Sequence, residues 1–305
     1  MYSFVKKLFF KDAKLRIFAI TRLSDTQVEE KVFLQNGKYI IDISLRQGII
    51  CLDPFCIAVW VPREQLPSPD VSQAKLQFYR RTLATASIQL SIIEKIEGEK
   101  CVFLLYKIKS VKNYQFNPLH RLVFFAYLLR NKTSTYNYRK TISALYSYPR
   151  KIIIVSYKDE DYCNIFPMDI QGYAQEDGMY VLGLRTTNVT LDKILKAKKV
   201  VVCDTDAVDI DTVYTLGKHP SASPPKIENL PFGTTESEIF KFPVPDFSGS
   251  YKEIEIITHK KMGYHMLMIG KIINAKTLKQ NTSSFYHVGF LEYLKAHYNN
   301  IDGQY

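Results

Sequence analysis

The chain has 305 residues, of which 46% are hydrophobic, 13% aromatic and 23% charged. That balance describes a folded globular protein and excludes disordered, collagenous and simple coiled-coil chains; the length suggests two domains at roughly 150 residues each. The formal net charge of +11 is uneven, because residues 1–150 hold 24 Lys/Arg against 11 Asp/Glu while residues 151–305 hold 17 against 19.

Residues 1–18 are interrupted by charge and do not make a secretory hydrophobic segment. The apolar run 122–129 falls well short of the roughly 20 residues a membrane span needs. A soluble, cytoplasmic protein with no membrane partner is therefore expected. Strands are predicted over 38–44, 49–61, 87–94 and 101–111. Residues 101–150 carry nine basic and no acidic side chains, interleaved with Tyr106, Tyr114, Phe116, Phe124, Phe125 and Tyr138. The cations do not gather on one helical face and no nucleic-acid motif is present. The segment therefore reads as a solvated basic face with core aromatics, not a nucleic-acid surface. Such a half still attracts anionic cofactors.

The polar, Tyr- and Ser-rich stretch 131–150 reads as a linker, dividing the chain into domains 1–140 and 141–305. Beyond it, the β-branched run 151–157 predicts a buried strand and 179–184 a second. A short helix over 190–197 leads to a strand over 199–203. Another short helix over 211–216 ends at Gly217, placed to adopt the left-handed conformation. Residues 218–249 form a Pro/Ser/Gly-rich excursion of a length that is usually functional. Strands over 251–258 and 265–275 form a hairpin turning through 260–263, and a helix over 288–298 closes the pattern. A faint repeat links the halves. At a shift of 164 residues, Ile92, Ile93, Lys107, Ile108 and Lys112 meet identical residues, and His120, Tyr127 and Leu128 echo His287, Tyr293 and Leu294 at nearly the same shift.

The five cysteines form no C-x-x-C pair and read as reduced, mostly buried thiols. No G-x-G-x-x-G, P-loop, H-E-x-x-H or G-x-S-x-G motif occurs. The acidic run Asp204, Asp206, Asp209 and Asp211 lacks the glycine and glutamate of a calcium loop and reads as helix caps. The strongest positive pattern is 184–190, LRTTNVT, where a strand ends, Arg185 and the hydroxyls of Thr186, Thr187 and Thr190 follow, and a helix begins. An arginine fork, threonine hydroxyls and free helix N–H groups suit a phosphate monoester. The alternative is a plain cap by Asn188 or Thr190 with Arg185 on the surface. A second pattern is 163–169, CNIFPMD. Asn164 offers an amide there, and Phe166, Pro167 and Met168 offer apolar surface to a ring; alone, it reads first as a strand edge with a bulge at Pro167. His219 opens the long excursion and His265 opens a strand. His259 and His265 flank a turn, but no third metal ligand is suggested.

Taken in order, these pieces resemble the flavin reductase-like FMN-binding split-barrel family over residues 147–297. The resemblance rests on a Pro-led strand (Pro149 to Ser156), an Asn-containing second strand (Asn164 to Asp169), the Arg/Thr cluster Arg185 to Thr190, the helix-to-strand step 194–202, the excursion 217–226 and the hairpin pattern Gly263, His265, Gly270 and Ile272. It implies a mainly β protein with short helices, a split β-barrel of the FMN-binding type, here two tandem related barrels with a degenerate first half. It implies FMN as cofactor and NAD(P)H as candidate co-substrate, with hydride transfer to the flavin. It places the cofactor on Asn164, Phe166, Pro167, Met168, Arg185, Thr186, Thr187, Asn188, Thr190, His219 and Lys226, with His265 at the reacting ring. Family members are usually homodimers, so the chain is expected to be a homodimer or a pseudo-dimeric monomer. Phe166 to Asp169 depart from the family's small and hydroxyl residues. Two other readings are a flavin-binding module without turnover and a flavin-free binding protein with a basic first half.

Overall fold

The computed structural model describes residues 18–66, 71–115, 118, 122, 136–280, 282–289 and 298. The first half contributes β1 (Phe18–Leu23), β2 (Glu30–Asn36), β3 (Tyr39–Asp42), β4 (Gln47–Leu52), β5 (Phe55–Pro62), β6 (Gln73–Arg80), β7 (Leu83–Glu97) and β8 (Cys101–Asn113). Helix α1 (Tyr136–Leu145) and β9 (Arg150–Lys151) lead into the second half. There follow β10 (Ile153–Lys158), β11 (Cys163–Met168), β12 (Gln171–Ala174), β13 (Met179–Arg185), α2 (Val189–Ala197), β14 (Lys199–Cys203) and α3 (Ile210–Leu216). The short pair β15 (Thr234–Glu236) and β16 (Pro243–Pro245) precedes β17 (Ser250–Met262), β18 (His265–Thr277) and β19 (Ser284–Gly289).

The fold is mainly β with short helices, and its two large sheets curl into half-barrels. The order is β3-β2-β6-β7-β8-β5-β4 in one and β11-β10-β14-β17-β18-β13-β12 in the other. Numbered within its own half, each sheet has the same strand order, and neighbouring strands within both are antiparallel. The long hairpins agree residue by residue. Leu90 pairs with Ile108 as Ile254 pairs with Ile272, and the β-bulges at Gln89/Leu90 and Ile92/Glu94 recur at Glu253/Ile254 and Ile256/Thr258. That register is the 164-residue shift read from the sequence. The small sheet β1-β19-β9 ties the first described strand to the last.

Strand alternation explains how the halves join. Successive side chains of a strand point to opposite faces. In β5, Ile57, Val59 and Val61 enter the first half's own core, while Cys56, Ala58 and Trp60 enter a core shared with the second half. In β13, Tyr180, Leu182 and Leu184 serve the second half's core and Val181 the shared one. With both faces covered, these strands read as unbroken apolar runs. At the seam, Gly48 and Gly172 occupy matching register positions, and a Cβ on Gly48 would stand 2.6 Å from the Gln171 carbonyl oxygen. A Cβ on Gly172 would stand 2.3 Å from Trp60 Cη2.

Several expected elements are corrected. The strand predicted over 49–61 is two strands, β4 and β5, because Asp53-Pro54 turns the chain and proline has no N–H for the ladder. The linker 131–150 contains α1, whose Ile142 and Leu145 are buried against the first half's core together with Ala144 and Tyr146; its polar composition conceals that stripe. Gly217 ends α3 with φ −78°, not left-handed. The late hairpin turns at Gly263-Tyr264, with Gly263 at φ +65°. Val288 lies in β19, and residues 290–297 of the expected closing helix lie outside the described residues. So do Phe116, His120, Phe124, Phe125, Tyr127 and Leu128, along with Tyr293 and Leu294. The five cysteines are free, with Cys163 half-buried and the rest buried. No described helix is long and apolar enough to cross a membrane.

The seam makes one prediction. Gly172→Ala should destabilise the protein by about 1–3 kcal/mol, the usual cost of overpacking, read as a lower urea midpoint. An unchanged midpoint would contradict the close packing of Trp60 on Gly172.

Candidate functional site

β13 ends at Arg185, which pairs with His265, the first residue of β18. The turn before His265 rests against the first half. A Cβ on Gly263 would stand 2.2 Å from the Asp53 carbonyl oxygen, and Tyr264 N donates to that oxygen at 3.0 Å. Thr186 N donates to the Tyr264 carbonyl at 2.9 Å. The strand-to-helix corner therefore sits where the two halves meet.

At that corner α2 begins with Asn188, whose Oδ1 accepts from Thr190 N at 2.9 Å. Ser221 Oγ accepts from Val189 N at 3.1 Å. Two of the helix's free N–H groups are thus engaged from within the chain. Arg185 and Thr187 are exposed, and the Arg185 guanidinium has no hydrogen bond or ion pair among the described residues. Behind them runs a buried chain. Thr190 Oγ1 donates to Tyr162 Oη at 2.7 Å, and Tyr162 donates to the Ser221 carbonyl at 2.7 Å. Asn164 Nδ2 donates to Thr190 Oγ1 at 2.8 Å, and His219 Nε2 donates to Asn164 Oδ1 at 2.9 Å. That pattern assigns the proton of a neutral His219 to Nε2, and burial lowers its pKa.

His265 is 4% exposed, with Nδ1 3.5 Å from Cys51 Sγ of the first half. Burial, reinforced by the Arg185 charge, lowers its pKa to about 4, so the ring is neutral at pH 7. Burial also raises the Cys51 thiol, which donates to the Met262 carbonyl at 2.5 Å.

The other expected site residues lie as follows. Phe166 is buried in the second half's core. Pro167 and Met168 are half-buried, and the end of α3 lies over Pro167, whose Cγ would be 3.3 Å from a Cβ on Gly217. Lys226 is exposed and pairs with Glu228 at 3.9 Å. Asn164, Thr190 and His219 are bonded directly to one another, and Arg185, Thr186 and His265 are neighbours across one strand pair. Tyr162, Ser221 and Cys51 complete the corner. Their only sequence signal is hydroxyl or thiol chemistry, since each bonds a residue far along the chain. Asp209 caps α3 by accepting from Thr212 N at 2.8 Å, as the acidic run suggested.

No protein-family profile matches the chain, and no curated protein matches it in sequence. Among solved structures it is similar to flavin reductase and FMN-binding split-barrel proteins over about half its length. An FMN-binding protein from Thermus thermophilus aligns at 18% identity and TM-score 0.39, covering 43% of this chain and 72% of that one. The NADH:FAD oxidoreductase SgcE6 of Streptomyces globisporus C-1027 aligns at 11% identity and TM-score 0.44, covering 49% and 88%. Flavoredoxin from Methanosarcina acetivorans aligns at 13% identity and TM-score 0.38, covering 46% and 86%.

The neutral His265 fixes a pH dependence. Its folded pKa lies below the roughly 6.5 of an unfolded histidine, so its contribution is complete above that pH and is lost as pH falls toward about 4. His265→Gln should therefore lose less stability than the parent between those values, measured as urea midpoints across the range. Parallel curves for the two proteins would refute a buried neutral ring.

Proposed function

We propose that the chain is a flavin reductase-like oxidoreductase that holds FMN at the β13–α2 corner and uses NAD(P)H as reductant. The observation that carries this reading is Arg185, an exposed guanidinium without a partner among the described residues at a strand-to-helix corner, flanked by neutral His265 and the Asn164–Thr190–His219 chain. The motif order over residues 147–297 supports it.

The corner fits a phosphate through Arg185 and the Thr187 hydroxyl, which can both donate outward. The first N–H groups of α2 contribute less, because Asn188 and Ser221 already occupy two of them. Bound FMN supplies hydride chemistry that no side chain here offers. The protein's own part is placement. Arg185 anchors the anionic end, the buried amide and hydroxyl chain keeps β11 and α2 in fixed relation, and His265 presents an uncharged ring beside the anchor.

In this reading residues 141–305 form the flavin-binding domain and residues 1–140 a degenerate barrel that serves as a built-in partner. Pro62 pairs with Cys101 where Arg185 pairs with His265. The first half therefore has proline at the position matching Arg185, and Arg63 beside it is already held by the Gly98 and Glu99 carbonyls and by Glu97; in this reading one chain holds one flavin as a monomer.

The engaged Val189 and Thr190 N–H groups and the buried Phe166 favour a second reading, a flavin-free binding protein. Titration of the purified chain with FMN, followed by calorimetry and the visible flavin band, separates the two. One FMN per chain is expected, with affinity at least tenfold lower in Arg185→Ala, in line with about 1.5–3 kcal/mol for a charged hydrogen bond. Bleaching of the band by NAD(P)H without oxygen tests the reductase activity. Absence of saturable FMN binding would establish the flavin-free reading.

A further inference from the structure

A separate cleft of about 980 Å³ opens between the two halves, away from the Arg185 corner and lined by residues of both. Its volume is in the range of small-molecule sites, roughly 300–1,000 Å³. Trp60, Lys151, Tyr173, Tyr180 and Lys252 are among its walls.

The walls carry seven carboxylates and five cations, and the carboxylates are already engaged: Glu29 by Arg81, Glu30 by Tyr298, Asp42 by Ser44 and Lys31, and Asp169 by Tyr146 and His287. Asp25 is taken by Lys151, at 3.0 and 3.2 Å, and by the Tyr286 hydroxyl. Asp204 accepts from Gly249 N at 2.7 Å and from Ser250 Oγ at 2.8 Å. Arg46 is bound to Glu176 at 2.6 and 2.9 Å, and Arg150 to Gln47 and the Leu145 carbonyl. Lys252 differs. Among the described residues its ammonium has no hydrogen bond or ion pair, and it stands 5.3 Å from the centre of the Tyr173 ring. Burial, and next the neighbouring Lys151, lower its pKa, while the carboxylates of Asp204 and Asp25 oppose that shift without bonding the ammonium. Such a cation has an unused attraction for an anion.

Aromatic surface lies beside it. Tyr173 and Tyr180 stack with ring centres 6.0 Å apart and planes 20° apart. Trp60 is 1% exposed, and its indole N–H has no hydrogen-bond partner among the described residues. A buried donor without an acceptor is costly in a folded protein. A cation without an ion pair among the described residues, the stacked rings and the tryptophan thus line one cavity.

We propose that this cleft is a second binding site, for a small aromatic anion of mononucleotide size, with Lys252 holding the phosphate or carboxylate and the Tyr173–Tyr180 face receiving the ring. It is independent of the flavin reading, since it shares no residue with the Arg185 corner.

Trp60 is the chain's single tryptophan, so intrinsic tryptophan fluorescence reports on this wall. The full chain is titrated with AMP, benzoate and inorganic phosphate, by fluorescence and calorimetry. Saturable binding of AMP or benzoate is expected, with a change in Trp60 emission and much weaker binding of inorganic phosphate; which of the two binds tighter identifies phosphate or carboxylate as the preferred anion. Lys252→Gln should weaken that binding at least tenfold and Lys252→Arg should retain most of it. Arg185→Ala should leave it unchanged. FMN affinity should respond in the opposite way, falling in Arg185→Ala and not in Lys252→Gln. The proposal is overturned if neither aromatic anion binds saturably, or if a folded Lys252→Gln binds them as the parent does. It is also overturned if FMN affinity falls in Lys252→Gln alone, because the cleft would then be the flavin site itself.

Discussion

The structure depends on strands that must satisfy two cores at once. β4, β5 and β8 of the first half, and β12, β13, β17 and β18 of the second, place side chains in a common apolar layer that includes Trp60, Phe103, Val181 and Leu267. Neither sheet can cover that face alone. The join is reciprocal as well as apolar. The β4–β5 turn presents the Asp53 carbonyl to Tyr264 N, and the β12–β13 turn presents the Asp177 carboxylate to Lys100 N and Cys101 N at 2.7 and 2.9 Å. Each half's hairpin tip is thus held by the other half's turn, the self-complementary arrangement of a two-fold dimer interface realised within one chain.

Everything placed at the Arg185 corner follows from this join. Gly263 is pressed against Asp53, which fixes where β18 starts and so where His265 enters the protein. His265 is buried partly by the first half, through Cys51. Its neutral ring is therefore a property of the assembled pair of sheets, not of the second half alone. The cleft at Lys252 has the same origin, being the space left where two curved sheets meet along one edge.

Legibility in the sequence differed between the halves for physical reasons. In the second half β10, β13 and β14 are β-branched or aliphatic runs, and α2 has an apolar stripe behind an Asn cap, so local pattern and local structure agree. In the first half β2 and β6 bury Val32, Leu34, Leu76 and Phe78 on alternate positions, a weaker signal diluted by polar neighbours. α1 is concealed by its tyrosines and serines. The 164-residue shift was legible because the long hairpins keep both alternation and bulges. The matching Gln47-Gly48 and Gln171-Gly172 pairs carry the seam, yet two residues are too few to notice without the ladder. At the corner, the Asn188 cap was readable from its type and position. The capture of Val189 N by Ser221 was not, because the partner comes from a distant excursion.

Two identical subunits must repeat every substitution on both sides of their axis. Here the matching positions are written separately, so proline can stand at 62 while arginine stands at 185, and cysteine at 101 while histidine stands at 265. One flank of the junction is thereby free to specialise in scaffolding while the other retains polar chemistry. Because the halves are tethered, their meeting does not depend on dilution, and neither flank has to be compatible with a copy of itself.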